Sequence, residues 1–297
     1  MSTDRRTLAA NARVAAAELE GEVDAPAFVD GTHQMVSRPV VDLLAAPAGA
    51  RDRQLLYGQG VRVFEVHDGW AFCMALRDGY VGYVRASDLM DPIEATHVVA
   101  VPATHGYPVP DFKQPPFMHL SLGARFRVVG ASGAFFETAE GYFIPKPHLR
   151  PANKPFTDVT AVAQLFFGVP YLWGGNSVLG IDCSGLVQVA HLACGIPCQG
   201  DSDQQMRALG DPLGPDDPLQ RGDLLFWKGH VALAVDADTI IHANAHHMAV
   251  AYEGFLDACA RIAEAGEGPL LAHKRLVAES IARISFFSST RNTVFNS

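Results

Sequence analysis

Nowhere in this 297-residue chain do about 18 uncharged apolar residues run together, so no segment reads as a membrane-crossing helix. Cysteine is scarce: Cys73, Cys183, Cys194, Cys198 and Cys259 are odd in number and irregular in spacing, which excludes a disulfide framework and fits a reducing compartment. Positive charge is also short. A net charge of -9 excludes general attraction to nucleic acid or anionic lipid, so an anionic substrate would have to be held by local groups. The first 23 residues are Ala-rich but interrupted by Glu18, Glu20 and Glu22, and no apolar core of a secretory leader is read there. A cytoplasmic location is the expectation.

What the chain does have is 48% hydrophobic residues and 17 Phe, enough to build substantial cores, and a length that suits two or three domains. Ala9, Ala10, Val14 and Ala17 recur at helical spacing, so residues 1–22 are expected to form a helical segment. After Pro26 the texture changes to short alternating apolar runs. Asp68-Gly69 and Asp78-Gly79 supply the turns that hairpin-connected strands require. With its "LYG" turn, "GW" strand and "GYVGYV" strand, the stretch from Gln54 resembles a bacterial Src-homology-3-like barrel, assigned to 23–92. A fainter repeat, in which GYFIP at 141–145 takes the place of GYVGY at 79–83, assigns 93–150 to a second, degenerate barrel.

The proline-bearing segment 150–155 reads as a linker into a third domain, 151–297. Thr157 or Asp158 is expected to cap a helix with Val159, Val162, Ala163, Phe166 and Phe167 on one face. A second helix, from Cys183 to Cys194, is expected behind an Asp182 cap and a glycine-rich approach. A cysteine at a helix start meets unpaired backbone N–H groups and the positive end of the dipole, which favour the thiolate. His230 and His242 fall on neighbouring strands of one hairpin that turns near Asp236 to Asp238. By type and order, Cys183, His230 and His242 supply a nucleophile, a base and a group that orients the base. The Cys183 N–H and Tyr171 are candidate oxyanion donors. The same three residues also have the right types for zinc, but no short-range ligand pair supports a metal site. His246 and His247 read as a solvated loop.

Five ordered motifs then come together: Tyr171-x-Trp173-Gly174-Gly175, Asp182-Cys183-Ser184-Gly185-Leu186, Gly222-Asp223-Leu224, Gly229-His230-Val231-Ala232 and Ile241-His242-Ala243. Across residues 155–255 they resemble the NlpC-type papain-like cysteine peptidases. The resemblance implies an α+β domain in which a helix bearing the nucleophile packs on an antiparallel sheet, preceded here by two small β-barrels. It implies Cys183 as nucleophile, His230 as base, His242 as the third polar member and Tyr171 beside the oxyanion, with no cofactor and no metal.

The barrels and the absent leader make the architecture similar to the cytoplasmic γ-D-glutamyl-L-diamino acid endopeptidases of murein-peptide recycling. That subgroup implies a small murein peptide as partner, with no nucleic acid and no membrane. It implies Asp201, followed by Ser202, on the free α-amine of an N-terminal L-Ala. It also implies Asp182, Ser184 and Trp173 along the peptide, and Gln59 and Tyr80 from the first barrel. Gln59 stands where the subgroup often has an acid. A peptide-binding protein without catalysis, and a thiol acyltransferase or amidase, are the other functions the same residues permit. Oligomeric state is not written in the sequence.

Overall fold

The computed structural model describes residues 4–214 and 216–277, which divide into two units, Met1–Lys154 and Pro155–Ser297. Among the described residues no helix is long and apolar enough to cross a membrane.

The first unit is built of short strands, turns and 3-10 turns, with no α-helix among the described residues. Seven strands between Thr32 and Met90 form one sheet, whose long hairpin pairs Gly60–His67 with Trp70–Ala75 and then Val81–Arg85. Its turn is the expected Asp68-Gly69, with φ of 50° and 77°, a left-handed pair that matches the twist of the flanking strands. The core of this barrel is Val36, Leu43, Leu55, Val61, Ala71, Cys73 and Val84.

A second core follows, built from Val99, Leu120, Phe126, Ile144 and Leu149, with the Tyr57 ring stacked on Phe126 at 4.6 Å. It is surrounded by three separate sheets of two or three strands rather than one continuous sheet. The last elements around the two cores nevertheless follow the same order. Val81–Arg85, a 3-10 turn at Ala86–Asp88 and Leu89–Met90 are matched in order by Phe143–Pro145, a 3-10 turn at Lys146–His148 and Leu149–Pro151.

The helix expected over residues 1–22 is not there. Residues 1–3 lie outside the described residues, and those from 4 onward run as turns, a two-residue strand Ala15–Ala16 beside Phe28–Val29, and a 3-10 turn Ala17–Leu19. Tertiary contacts override the alanine periodicity. Ala9 and Ala16 are small enough to lie against Phe64, Phe72 and Val81, and the charged residues pair outward along the barrel: Arg13 with Glu65, and Glu18 with Arg62.

The second unit places helices against one antiparallel sheet. Helix α1 is Val159–Gln164, α2 Cys183–Ala193, α3 Ser202–Ala208 and α4 Phe255–Glu264. Its strands, in chain order, are β1 Asp211–Pro212, β2 Leu224–Trp227, β3 His230–Ala234, β4 Thr239–Asn244, β5 Ala249–Gly254 and β6 Ala272–Arg275, arranged β1-β6-β2-β3-β4-β5. Asp158 caps α1 by accepting from the Ala161 N–H at 2.9 Å. Val162, Ala163 and Phe166 are buried as expected, whereas Phe167 points outward against the Tyr252 ring at 5.1 Å. The short helix ends before Phe167, so the helical phase that would bury it is lost.

Helix α2 is buried well beyond an apolar stripe. Cys183 through His191 are all buried, polar side chains included. Gln188 accepts from Asn176 and donates to the Cys198 carbonyl, and His191 Nδ1 lies 2.7 Å from the Val187 carbonyl. A central helix can carry such side chains because each makes at least one internal hydrogen bond, although His191 Nε2 has none among the described residues.

Candidate active site

The start of α2 is fixed by one carboxylate. Asp182 Oδ1 accepts from the Gly185 N–H at 2.6 Å and from Ser184 Oγ at 3.1 Å, while Oδ2 accepts from the Gly174 N–H at 2.8 Å. One side chain thus ties the glycine turn to the helix it precedes. Gly174 has φ of 70°, and a Cβ on Gly175 would collide with the Gly180 backbone, which explains the paired glycines. Cys183 is therefore presented as the first residue of α2, where backbone N–H groups have no partner within the helix.

On the sheet, β2 and β3 form a hairpin whose tip is Lys228-Gly229, with Trp227 opposite His230. Cys183 Sγ lies 3.9 Å from the Gly229 carbonyl, so the thiol sits at the tip that launches His230. His230 Nε2 is 2.9 Å from His242 Nδ1, and His242 Nε2 is 3.0 Å from Glu253 Oε2. Arg261 of α4 closes the line: Nε donates to Glu253 Oε1 and Nη2 to Oε2, both at 2.8 Å. The sequence-expected trio is brought to one place, and it continues into two residues that the sequence reading missed.

The place of Glu253 is set by strand register, which the sequence alone does not give. His242 pairs with Ala251 across β4 and β5, which puts Glu253 two residues along on the same face, a diagonal neighbour.

Desolvation dominates the titration of the two histidines. Burial, reinforced by His242 and Arg261, pushes the His230 imidazole down to about 3, and a thiolate beside it would oppose that shift. Burial also lowers His242, against the pull of Glu253. Arg261 first and His242 second hold Glu253 well below the usual carboxylate range.

His242, His247 and Glu253 bring ligand atoms within 4.8 Å of one another, the spacing a metal ion would use. The guanidinium of Arg261 already engages both Glu253 oxygens and sets a fixed positive charge there, so this donor set does not suit a cation. His246 and His247 are exposed, in keeping with a loop reading.

The remaining sequence candidates are distributed as follows. Tyr171 is half-buried, its N–H donating to the Met248 carbonyl at 2.9 Å and its backbone bridged to Ile181. Trp173 is 69% exposed. Ser184 is buried against Asp182. Asp201 is the N-cap of α3, its own N–H donating to Gln204 Oε1 at 3.4 Å, and Ser202 opens that helix. Gln205 of α3 donates to the Ser184 and Gln199 carbonyls, tying this loop to the start of α2. In the first unit, the Gln59 side-chain oxygen accepts from the Leu56 N–H and from Arg77, and Tyr80 is buried with the barrel core.

Similarity to known proteins extends over both units. Residues 168–257 match the NlpC/P60 family, and residues 43–89 match the bacterial dipeptidyl-peptidase Sh3 domain. The chain is 28% identical over 218 residues to dipeptidyl-peptidase 6 of Lysinibacillus sphaericus, an alignment that covers 64% of this chain and 79% of that protein. It is also 28% identical over 216 residues to the γ-D-glutamyl-L-lysine dipeptidyl-peptidase of Bacillus subtilis, covering 64% and 71% respectively. The fold is that of the crystal structure of an NlpC/P60 family protein from Bacillus cereus, with a TM-score of 0.70 at 21% identity over 82% of this chain and 99% of that one. The chain accordingly carries a papain-like NlpC/P60 cysteine peptidase domain behind an N-terminal bacterial Src-homology-3-like region.

Proposed function

We propose that the chain hydrolyses the γ-D-glutamyl-L-diamino acid bond of small murein peptides that carry a free N-terminal L-Ala, within cell-wall peptide recycling in the cytoplasm. The observation that carries the reading is the line from Cys183 at the head of α2, past the Gly229 tip, to His230 and His242. The name of the Bacillus subtilis relative supports the choice of bond.

In this reading Cys183 gives its proton to His230 Nδ1, and the sulfur attacks the γ-carbonyl carbon of D-Glu. The oxyanion faces the Cys183 N–H, with Tyr171 beside it. His230 returns the proton to the departing amine, which leaves a thioester. Water then attacks the thioester, again losing its proton to His230, and the L-Ala-D-Glu dipeptide is released as the thiol reforms. Asp201 is read as the partner of the substrate ammonium, so peptides without that ammonium at the matching position would lose the charge pair. Trp173, exposed beside the glycine turn that precedes α2, is read as a further peptide contact, with no cofactor.

The test is hydrolysis of L-Ala-γ-D-Glu-L-Lys, its diaminopimelate counterpart and their N-acetylated forms, followed by mass spectrometry. Cleavage of the free-amine peptides at the D-Glu bond is expected, with the acetylated forms at least about tenfold slower. Equal turnover of both forms would remove the amine recognition, and no turnover of any would remove the substrate.

A further inference from the structure

The hydrogen-bonded line that begins at His230 does not stop at the second histidine. We infer that Glu253, clamped by Arg261, is a positioning residue that sets the tautomers of both His242 and His230, and so leaves the His230 Nδ1 lone pair for the Cys183 thiol. The inference rests on reading Cys183, His230 and His242 as the reacting groups.

The argument is one of proton counting. A neutral imidazole has one N–H and one lone pair, and two imidazoles in contact through Nε2 and Nδ1 can point their protons in either direction along the line. Run one way, His230 donates from Nε2 to His242 Nδ1, and its own Nδ1 is a base. Run the other way, His242 donates from Nδ1, His230 Nε2 accepts, and the remaining proton sits on His230 Nδ1, where it blocks removal of the thiol proton. Within the pair itself both directions make one hydrogen bond. The choice has to come from the group at the far end.

That group is a carboxylate with no proton to give. Both Glu253 oxygens accept from Arg261, and Oε2 also faces His242 Nε2 at 3.0 Å. Arg261 keeps Glu253 ionised, so His242 Nε2 must be the donor in that contact. Burial keeps His242 neutral, which leaves its Nδ1 as an acceptor and makes His230 Nε2 the donor. The groups facing Glu253 are His242 of β4, His247 of the turn after it, and Arg261 and Cys259 of α4. Arg261 is the one that carries a permanent charge among them. When His230 takes the thiol proton, the carboxylate also stands one residue away to offset the new positive charge, transmitted through His242.

The experiment uses the full chain with 15N-labelled histidine. Two-bond 1H–15N correlations at neutral pH are expected to show His230 and His242 both as the Nε2–H form. Glu253→Gln keeps the shape but brings an NH2 group into a site built of donors. It is expected to move the population toward Nδ1–H and to slow alkylation of Cys183 by iodoacetamide at least about tenfold, with kcat lowered similarly and KM within about twofold. Finding either histidine of the unaltered protein as Nδ1–H would overturn the inference, as would a Glu253→Gln protein with unchanged tautomers and alkylation rate. The spectrum of the unaltered protein needs no variant to fold and no substrate to be right. Separately, a Cys183→Ala protein that still cleaves peptide would remove the catalytic reading itself and leave the tautomer result standing.

Discussion

At the scale of single residues, chemistry here is set by neighbours more than by residue type. Five thiols share one chain, yet their surroundings differ sharply. Cys73 is enclosed in the first barrel and burial pushes its thiol up to about 12, so it is inert at neutral pH. Cys183 stands instead at a helix start, its sulfur 3.9 Å from the carbonyl of Gly229, the residue before His230. One equivalent of iodoacetamide at neutral pH is therefore expected to modify Cys183 and abolish hydrolysis while Cys73 stays unmodified, as peptide mapping would show. Labelling of Cys73 in the folded protein would contradict the burial argument.

The trio at the site was legible because its spacing is local in each element: a capped helix start, and two histidines on adjoining strands. Glu253 and Arg261 were not, because their meaning depends on which residue of β5 faces His242 and on how α4 returns across it. A strand glutamate reads from sequence as an outward charge unless the register is known.

At the scale of elements, the strand-turn-helix from Tyr171 to Ala193 shows how a local signal becomes rigid. Asp182 was read as a cap, and it does cap α2, yet it also holds the Gly174 amide and the Ser184 hydroxyl. Replacing it with alanine removes acceptors from buried donors at both ends of the turn. Asp182→Ala is expected to cost about 3 kcal/mol in the second unit, more than a surface cap alone would, and to reduce hydrolysis through misplacement of Cys183. Urea unfolding followed by tryptophan fluorescence measures the first effect, and an unchanged midpoint would refute it.

The N-terminal segment is the opposite case. Its alanines have helical spacing, but propensity is a weak prior, and the residues pack flat against barrel aromatics instead. Long-range pairs such as Arg13 with Glu65 and Glu18 with Arg62 decide the outcome, and nothing in the local pattern announces them.

At the scale of the whole molecule, the buried histidines make folding stability a function of pH. His191 lies at the centre of α2, and burial pushes it down to about 4 despite the Val187 carbonyl at one ring nitrogen. Its other nitrogen, Nε2, is buried without a hydrogen-bond partner among the described residues. In the unfolded chain the same residue titrates near its ordinary value of about 6.5. Between those two values the unfolded state holds a proton that the folded state refuses. Stability is thus complete above about pH 6.5 and falls as the pH drops toward about 4, by about 3 kcal/mol from this residue. His230 and His242, lowered in the same direction, add to the loss. Glu253, held down by Arg261 and His242, extends it to lower pH. A His191→Leu protein removes the titration and the orphaned nitrogen together. Urea unfolding at pH 7.5, 6 and 5, in a Trp70→Phe background so that Trp173 and Trp227 report on the second unit, is expected to show a flatter pH dependence for His191→Leu. The stability lost between pH 7.5 and 5 should shrink by about 2 kcal/mol relative to the unaltered histidine. Parallel curves for the two proteins would mean that His191 is not the group that couples this unit to acid.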